Sequence, residues 1–151
     1  MKKNRILFLL GLLLMVSFSF TACGGDDEDD NVASGIVGEW ASQDEASDGS
    51  WMYLERIKFE KNGTFTVVFY SIYLSNGSTI TGIEKGGFSG SYKADNGQLS
   101  LTYEGKTGNG TYSISGNQLT VVNNGDMITY DKMDSNISEI FDKAERAYQN
   151  Q

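Results

Sequence analysis

Five Asn/Gly pairs punctuate the chain at short intervals: Asn62-Gly63, Asn76-Gly77, Asn96-Gly97, Gly116-Asn117 and Asn124-Gly125. Asn and Gly reach positive φ cheaply, which is what the tight turns of antiparallel hairpins demand. Between the pairs lie runs rich in Thr, Val, Ile, Tyr and Phe, at about 36–43, 51–60, 63–74, 78–84, 88–94, 98–104, 110–115, 118–123 and 126–133. They predict an all-β domain of eight strands if the runs flanking Gly86-Gly87 form one bulged strand, and nine otherwise. Proline is absent and glycine abundant, and residues 36–151 make one domain with a single modest core.

An internal repeat orders these strands. Gly90-Ser91-Tyr92 leading to Gln98-Leu99-Ser100 recurs twenty residues later as Gly110-Thr111-Tyr112 leading to Gln118-Leu119-Thr120, each copy reading as one hairpin. Consecutive hairpins with short turns close most simply into an antiparallel up-and-down barrel, which removes exposed sheet edges. A sandwich needs longer crossovers, and the chain offers few, chiefly Ser42 to Ser50.

Alternation assigns the faces. Ile57 and Phe59; Phe65, Val67 and Phe69; Phe88 and Tyr92; Leu99, Leu101 and Tyr103; Tyr112 and Ile114; Leu119 and Val121; and Ile128 and Tyr130 share parity and point inward. Glu55 shares the phase of Trp51, Tyr53, Ile57 and Phe59, which turns a carboxylate inward. Buried, it needs a partner, for which Tyr92, Tyr103, Tyr112, Tyr130 and Lys132 are candidates. The alternative places Glu55 at an open rim, or beside a bulge that reverses its parity. The run 64–74 is apolar on its second face too, through Val68, Tyr70, Ile72 and Leu74, so that face needs a cover. Ile137, Ile140, Phe141, Ala144 and Tyr148 follow helical spacing and supply one: an amphipathic helix over about 135–149, with Asn136 and Glu139 as its N-cap signal, docked on the outer wall.

The chemistry open to this chain is narrow. Without histidine, a Ser-His-Asp triad, a histidine base and ordinary zinc or haem ligation are excluded. Asp44, Glu45 and Asp48-Gly49 crowd one loop but lack the ligand order of a calcium hand, and read as a solvated loop. The sequence points to no enzyme, cofactor or metal site.

The N-terminus carries an address. Lys2, Lys3 and Arg5 precede an apolar run of fifteen residues, Ile6 to Phe20, shorter than the roughly 20 needed to span a bilayer. Residues 1–22 therefore read as a signal peptide. Phe20-Thr21-Ala22-Cys23 resembles a bacterial lipobox, with Phe20 where Leu is usual. The resemblance implies cleavage before Cys23, whose thiol takes diacylglycerol and whose amine takes a fatty acid such as palmitate, a stable multi-chain anchor. No second cysteine exists to form a disulfide. Residues 23–35, with Asp26-Asp27-Glu28-Asp29-Asp30, form a solvated tether. Cys-Gly-Gly before an acidic block resembles the surface-export signal of Bacteroides-type lipoproteins, which implies an outer-membrane protein facing the cell surface. Loss of Lys2, Lys3 and Arg5 leaves 9 basic against 20 acidic groups, about −11 net, which argues against nucleic acid as a partner.

The domain itself resembles the lipocalin-like families of the calycin group. The resemblance is carried by Ile36-Val37-Gly38-Glu39-Trp40, which matches a Gly-x-Trp opening strand, by Phe59-Glu60-Lys61-Asn62-Gly63-Thr64-Phe65, and by the Gly-x-Tyr and Gln-Leu hairpins. It implies that Gly38 and Trp40 close one barrel end with a basic side chain over the indole, a place that falls to Lys132 where the family has arginine. It also implies a non-catalytic module for a small, partly apolar ligand, with Tyr53, Glu55, Phe69, Tyr92, Tyr103, Tyr112 and Tyr130 as candidate wall residues. A small barrel is equally able to be filled by its own side chains. The alternative is then a protein-interaction module or enzyme inhibitor that works through the loops Asp44 to Ser50, Ser75 to Ser78 and Glu104 to Gly110.

Overall fold

The turn residues do what their chemistry allows. In the computed structural model, which describes residues 35–151, Asn76, Asn96 and Asn124 sit at φ 52°, 46° and 51°, each followed by a glycine at φ 70–88°. These are the paired positive-φ residues of type I′ hairpins, whereas Gly116 alone is positive in its turn, as a II′ turn requires. The hairpins join β1 (Gly38–Glu45), β2 (Trp51–Phe59), β3 (Thr64–Ser75), β4 (Thr79–Asp95), β5 (Gln98–Tyr103), β6 (Lys106–Ser115), β7 (Gln118–Asn123) and β8 (Asp126–Lys132). All neighbours pair antiparallel in sequence order, and β8 returns to β1, so the sheet is a closed eight-stranded up-and-down barrel. The segments expected to form a signal peptide and an acidic tether, with Cys23, lie outside the described residues, save Gly35.

Three expectations about local structure need correction. The runs flanking Gly86-Gly87 form one 17-residue strand, but its register shift lies opposite Tyr73 and Leu74, with Thr81 as the extra residue. Gly86 and Gly87 stay in register, facing Phe69 and Val68, and serve close approach instead: a Cβ on Gly86 would stand 2.2 Å from the Phe69 ring. The loop expected over Glu104 to Gly110 is a two-residue turn, Glu104-Gly105, after which β6 begins. The helix α1 (Ser135–Gln149) is capped by Asp134, whose carboxylate accepts from the Ile137 backbone N–H at 2.8 Å, and not by Asn136.

Two apolar layers follow from the alternation. The interior holds Trp40, Ile57, Phe59, Phe65, Val67, Tyr92, Leu99, Leu101, Leu119, Val121, Ile128 and Tyr130, with Phe69, Phe88, Tyr103 and Tyr112 packed against them. Ile114 keeps the inward phase, yet lies at the barrel's end and is 36% exposed. The outer layer joins Ala41, Leu54, Tyr70, Ile72 and Ile83 to Phe141 and Ala144 of α1, so the second face of β3 is covered by the helix. Burying Phe141 there is worth about 2–3 kcal/mol. Ile140 and Tyr148 remain largely exposed at the margins.

Candidate functional site

Strand β2 carries the interior's buried acid. Glu55 pairs in register with Ser42 on β1 and Phe69 on β3, and its side chain is 1% exposed. Its Oε2 accepts the Tyr53 hydroxyl at 2.9 Å and its Oε1 accepts the Tyr130 hydroxyl at 2.6 Å. Each carboxyl oxygen thus takes a phenolic donor, which makes burial of such a group tolerable, and the Tyr130 bond is the shorter of the two. Tyr53 stacks on Phe69 with ring centroids 5.9 Å apart, so the acid is set in an aromatic wall.

The other candidate wall residues lie apart from this cluster. The Tyr92 hydroxyl donates to the Glu60 carbonyl at 2.9 Å, and its ring meets Phe59 edge-on at 4.8 Å. Burial, with Glu60 and Tyr112 adding, pushes the Tyr92 pKa up. Tyr103 packs on Phe88 at 4.9 Å and donates to the Glu104 carboxylate at 2.9 Å, a bond that raises its pKa. Tyr112 is half-buried, and burial followed by the Asp95 charge raises its pKa. Of the five partners considered for Glu55, Tyr130 is the one whose bond to it is seen, and Tyr53, two residues away on the same strand, supplies the second.

The far end of the barrel is plugged. Trp40 is 1% exposed, and its indole N–H donates to the Ile36 carbonyl at 2.8 Å. Gly38 enters β1 at φ 134°, a conformation that favours glycine. Lys132 Nζ stands 5.7 Å from the centre of the Trp40 ring, within cation–π range. Lys132 thus takes the place over the indole that the resemblance implied for it.

Two inward polar residues escaped the sequence reading. Ser42 and Asn123 are each 7% exposed. Continuing the alternation two residues past Trp40 would have found Ser42. Asn123 was hidden in the Asn123-Asn124-Gly125 turn signal, where an asparagine is expected for other reasons. On the outer wall a further cluster was missed: Glu145 of α1 accepts from Lys85 Nζ at 2.7 Å, from Gln149 at 2.9 Å and from the Tyr70 hydroxyl. The Lys85 bond, then the Tyr70 bond, holds the Glu145 pKa down at about 2, while burial and Glu145 push Tyr70 up. This cluster fastens α1 to β3 and β4. In the acidic loop, Asp48 accepts from the Ser50 backbone N–H and hydroxyl, which is a turn cap. Among the described residues no group of three or more His, Cys, Asp or Glu side chains is placed to hold a metal.

No protein-family model matches the chain, and no curated protein matches it in sequence. Among solved structures, it is similar to that of a lipoprotein, YedD, from Klebsiella pneumoniae, with a TM-score of 0.42 and 11% identity over 76% of this chain and 88% of that one.

Proposed function

We propose that this chain is a non-catalytic binding protein, anchored by lipid at Cys23 to the outer membrane and facing the cell surface, whose barrel holds a small, partly apolar molecule. The observation that carries the binding reading is Glu55, a carboxylate 1% exposed, held by Tyr53 and Tyr130 within aromatic walls. A barrel needs no such group for stability, since apolar residues of similar volume serve as well or better. An oriented polar group in an apolar surround is how binding sites fix a ligand's direction. The address rests on the lipobox-like Phe20-Thr21-Ala22-Cys23 and the acidic block after it.

Native mass spectrometry with organic extraction on residues 32–151, expressed in a lipid-rich bacterium, tests the binding reading. A reproducible bound mass supports it and gives the ligand class. A bare mass, with no change in melting temperature across fatty acids, aromatic acids and amines, overturns it. Replacing Cys23 by Ala should release the full chain from membranes; retention there would sink the anchor.

A second reading has its own observation. The turns after β1, β3, β5 and β7 share one barrel end, and Tyr73, Ile80 and Met127, exposed by 45%, 45% and 67%, lie on strand ends beside them. Exposed apolar side chains at one barrel end suit a protein partner, and this end includes the turns at Asp44 to Ser50 and Ser75 to Ser78.

A further inference from the structure

The ladders of the barrel are unequal. β3 and β4 share twelve register pairs, β2 and β3 nine and β1 and β2 eight, whereas β1 and β8 share two, Trp40 with Lys132 and Ala41 with Asp131. One more backbone bond, from the Met133 N–H to the Glu39 carbonyl at 2.9 Å, prolongs this seam toward α1. Where the ladder stops at Ala41, a cleft of about 90 Å³ opens on the outside, lined by Ala41, Gln43 and Leu54, by Asp131, and by Ile137 and Phe141 of α1. Ser42 also lines that cleft and is the register partner of Glu55. A single residue of β1 thus separates an apolar cleft outside the barrel from the buried acid within it.

Beyond this short ladder, side-chain contacts cross the seam. The Tyr130 hydroxyl on β8 reaches past β1 to Glu55 on β2, and the Lys132 ammonium lies over the Trp40 ring from β8 to β1. Helix α1 leaves β8 and lies across Ala41, Leu54 and Tyr70, strapping the seam from outside. We propose that the barrel opens sideways between β1 and β8, with the Tyr130–Glu55 bond as the inner latch and α1 as the outer one. As a way in for a ligand, this rests on the binding reading above; as a seam that opens, it does not. A ligand whose donor group takes Glu55 Oε1 displaces Tyr130, so occupancy and opening are coupled.

Hydrogen exchange read by mass spectrometry on the full chain tests the opening. Local opening lets bonded amides exchange without global unfolding. The bonded seam amides, Met133 above all, should exchange at least tenfold faster than those paired between Ile57 and Val67, with little dependence on sub-denaturing urea. Tyr130→Phe should speed the seam amides about a further tenfold. Seam amides that exchange no faster than the β2–β3 amides, or that share their urea dependence, overturn the proposal; so does a Tyr130→Phe seam rate equal to wild type. Fast seam exchange in a protein that yields no bound molecule on extraction keeps the opening and discards the ligand.

Discussion

Replacing Tyr130 with Phe removes one oxygen and keeps the ring that packs among Trp40, Leu119 and Ile128. The atom lost is the donor to Glu55 Oε1 at 2.6 Å, in a cluster where both residues are at most 2% exposed. A hydrogen bond to a carboxylate is worth about 1.5–3 kcal/mol, and its loss at this depth leaves the acceptor in a site that water reaches poorly. We expect Tyr130→Phe to cost about 2 kcal/mol, which for a domain of this size lowers the melting temperature by about 8 °C. The assay is urea unfolding by fluorescence, where the midpoint should fall with no change in slope. Tyr73→Phe is the control, because Tyr73 is 45% exposed and should change stability by less than about 0.5 kcal/mol. A double-mutant cycle with Glu55→Gln separates the bond from the packing: a coupling of about 1 kcal/mol or more is expected. A Tyr130→Phe cost no larger than that of Tyr73→Phe would refute the view that the Glu55 cluster holds the barrel closed.

Gly90→Ala should cost about 2–3 kcal/mol and more than Gly86→Ala, because its Cβ would stand 2.0 Å from the Thr102 backbone carbonyl, while at Gly86 it meets the movable end of the Phe69 ring; thermal melts of both variants rank them. Asp134→Ala should remove about 1 kcal/mol with the cap of α1, read as a lower urea midpoint and faster exchange of the Ile137 amide. The Lys85 and Tyr70 bonds hold the Glu145 carboxyl down at about 2, below the ordinary carboxylate value of 4.5, so the stability it contributes is complete above about pH 5 and is lost as pH falls through 2. The melting temperature of the wild type should therefore drop toward that of Glu145→Gln between those limits, and parallel curves would show that the Lys85 and Tyr70 bonds do not hold the helix.

The strand faces were legible because a period of two survives any error in strand ends. The row Phe65, Val67 and Phe69 needed only parity to be placed inside, and the apolar second face of β3 announced the helix that covers it. Turn chemistry was legible where Asn preceded Gly, and failed at Glu104-Gly105. There Glu104 holds φ 48°, a conformation that costs a residue of its kind about 1–2 kcal/mol, while its carboxylate accepts the Tyr103 hydroxyl. A local signal does not reveal a residue whose unfavourable backbone is offset by a neighbour. The bulge in β4 was misplaced for a related reason: paired glycines signal either a bulge or a close approach, and the Phe69 ring that decides between them comes from another strand.

The candidate site divides along the same line. That Glu55 faces inward is a statement about one strand, and parity supplied it. Which hydroxyl meets it is a statement about how far β8 slides along β1 on closure, and no turn residue encodes that slide. The ladder gives the offset: Trp40 lies opposite Lys132, which brings Tyr130 level with Ser42 and so, one strand further, with Glu55. Closure is where the sequence says least and where the backbone pairs least, so side chains help the short ladder fix the stagger of β8 against β1. Trp40 under Lys132 and Glu55 under Tyr130 set it at two heights. Sliding β8 by two residues would preserve every inward face and lose both contacts. Lys132→Ala and Tyr130→Phe therefore each leave one of the two, and the pair of substitutions together should loosen the closure by more than the sum of the separate losses, a non-additivity visible in the same urea cycle.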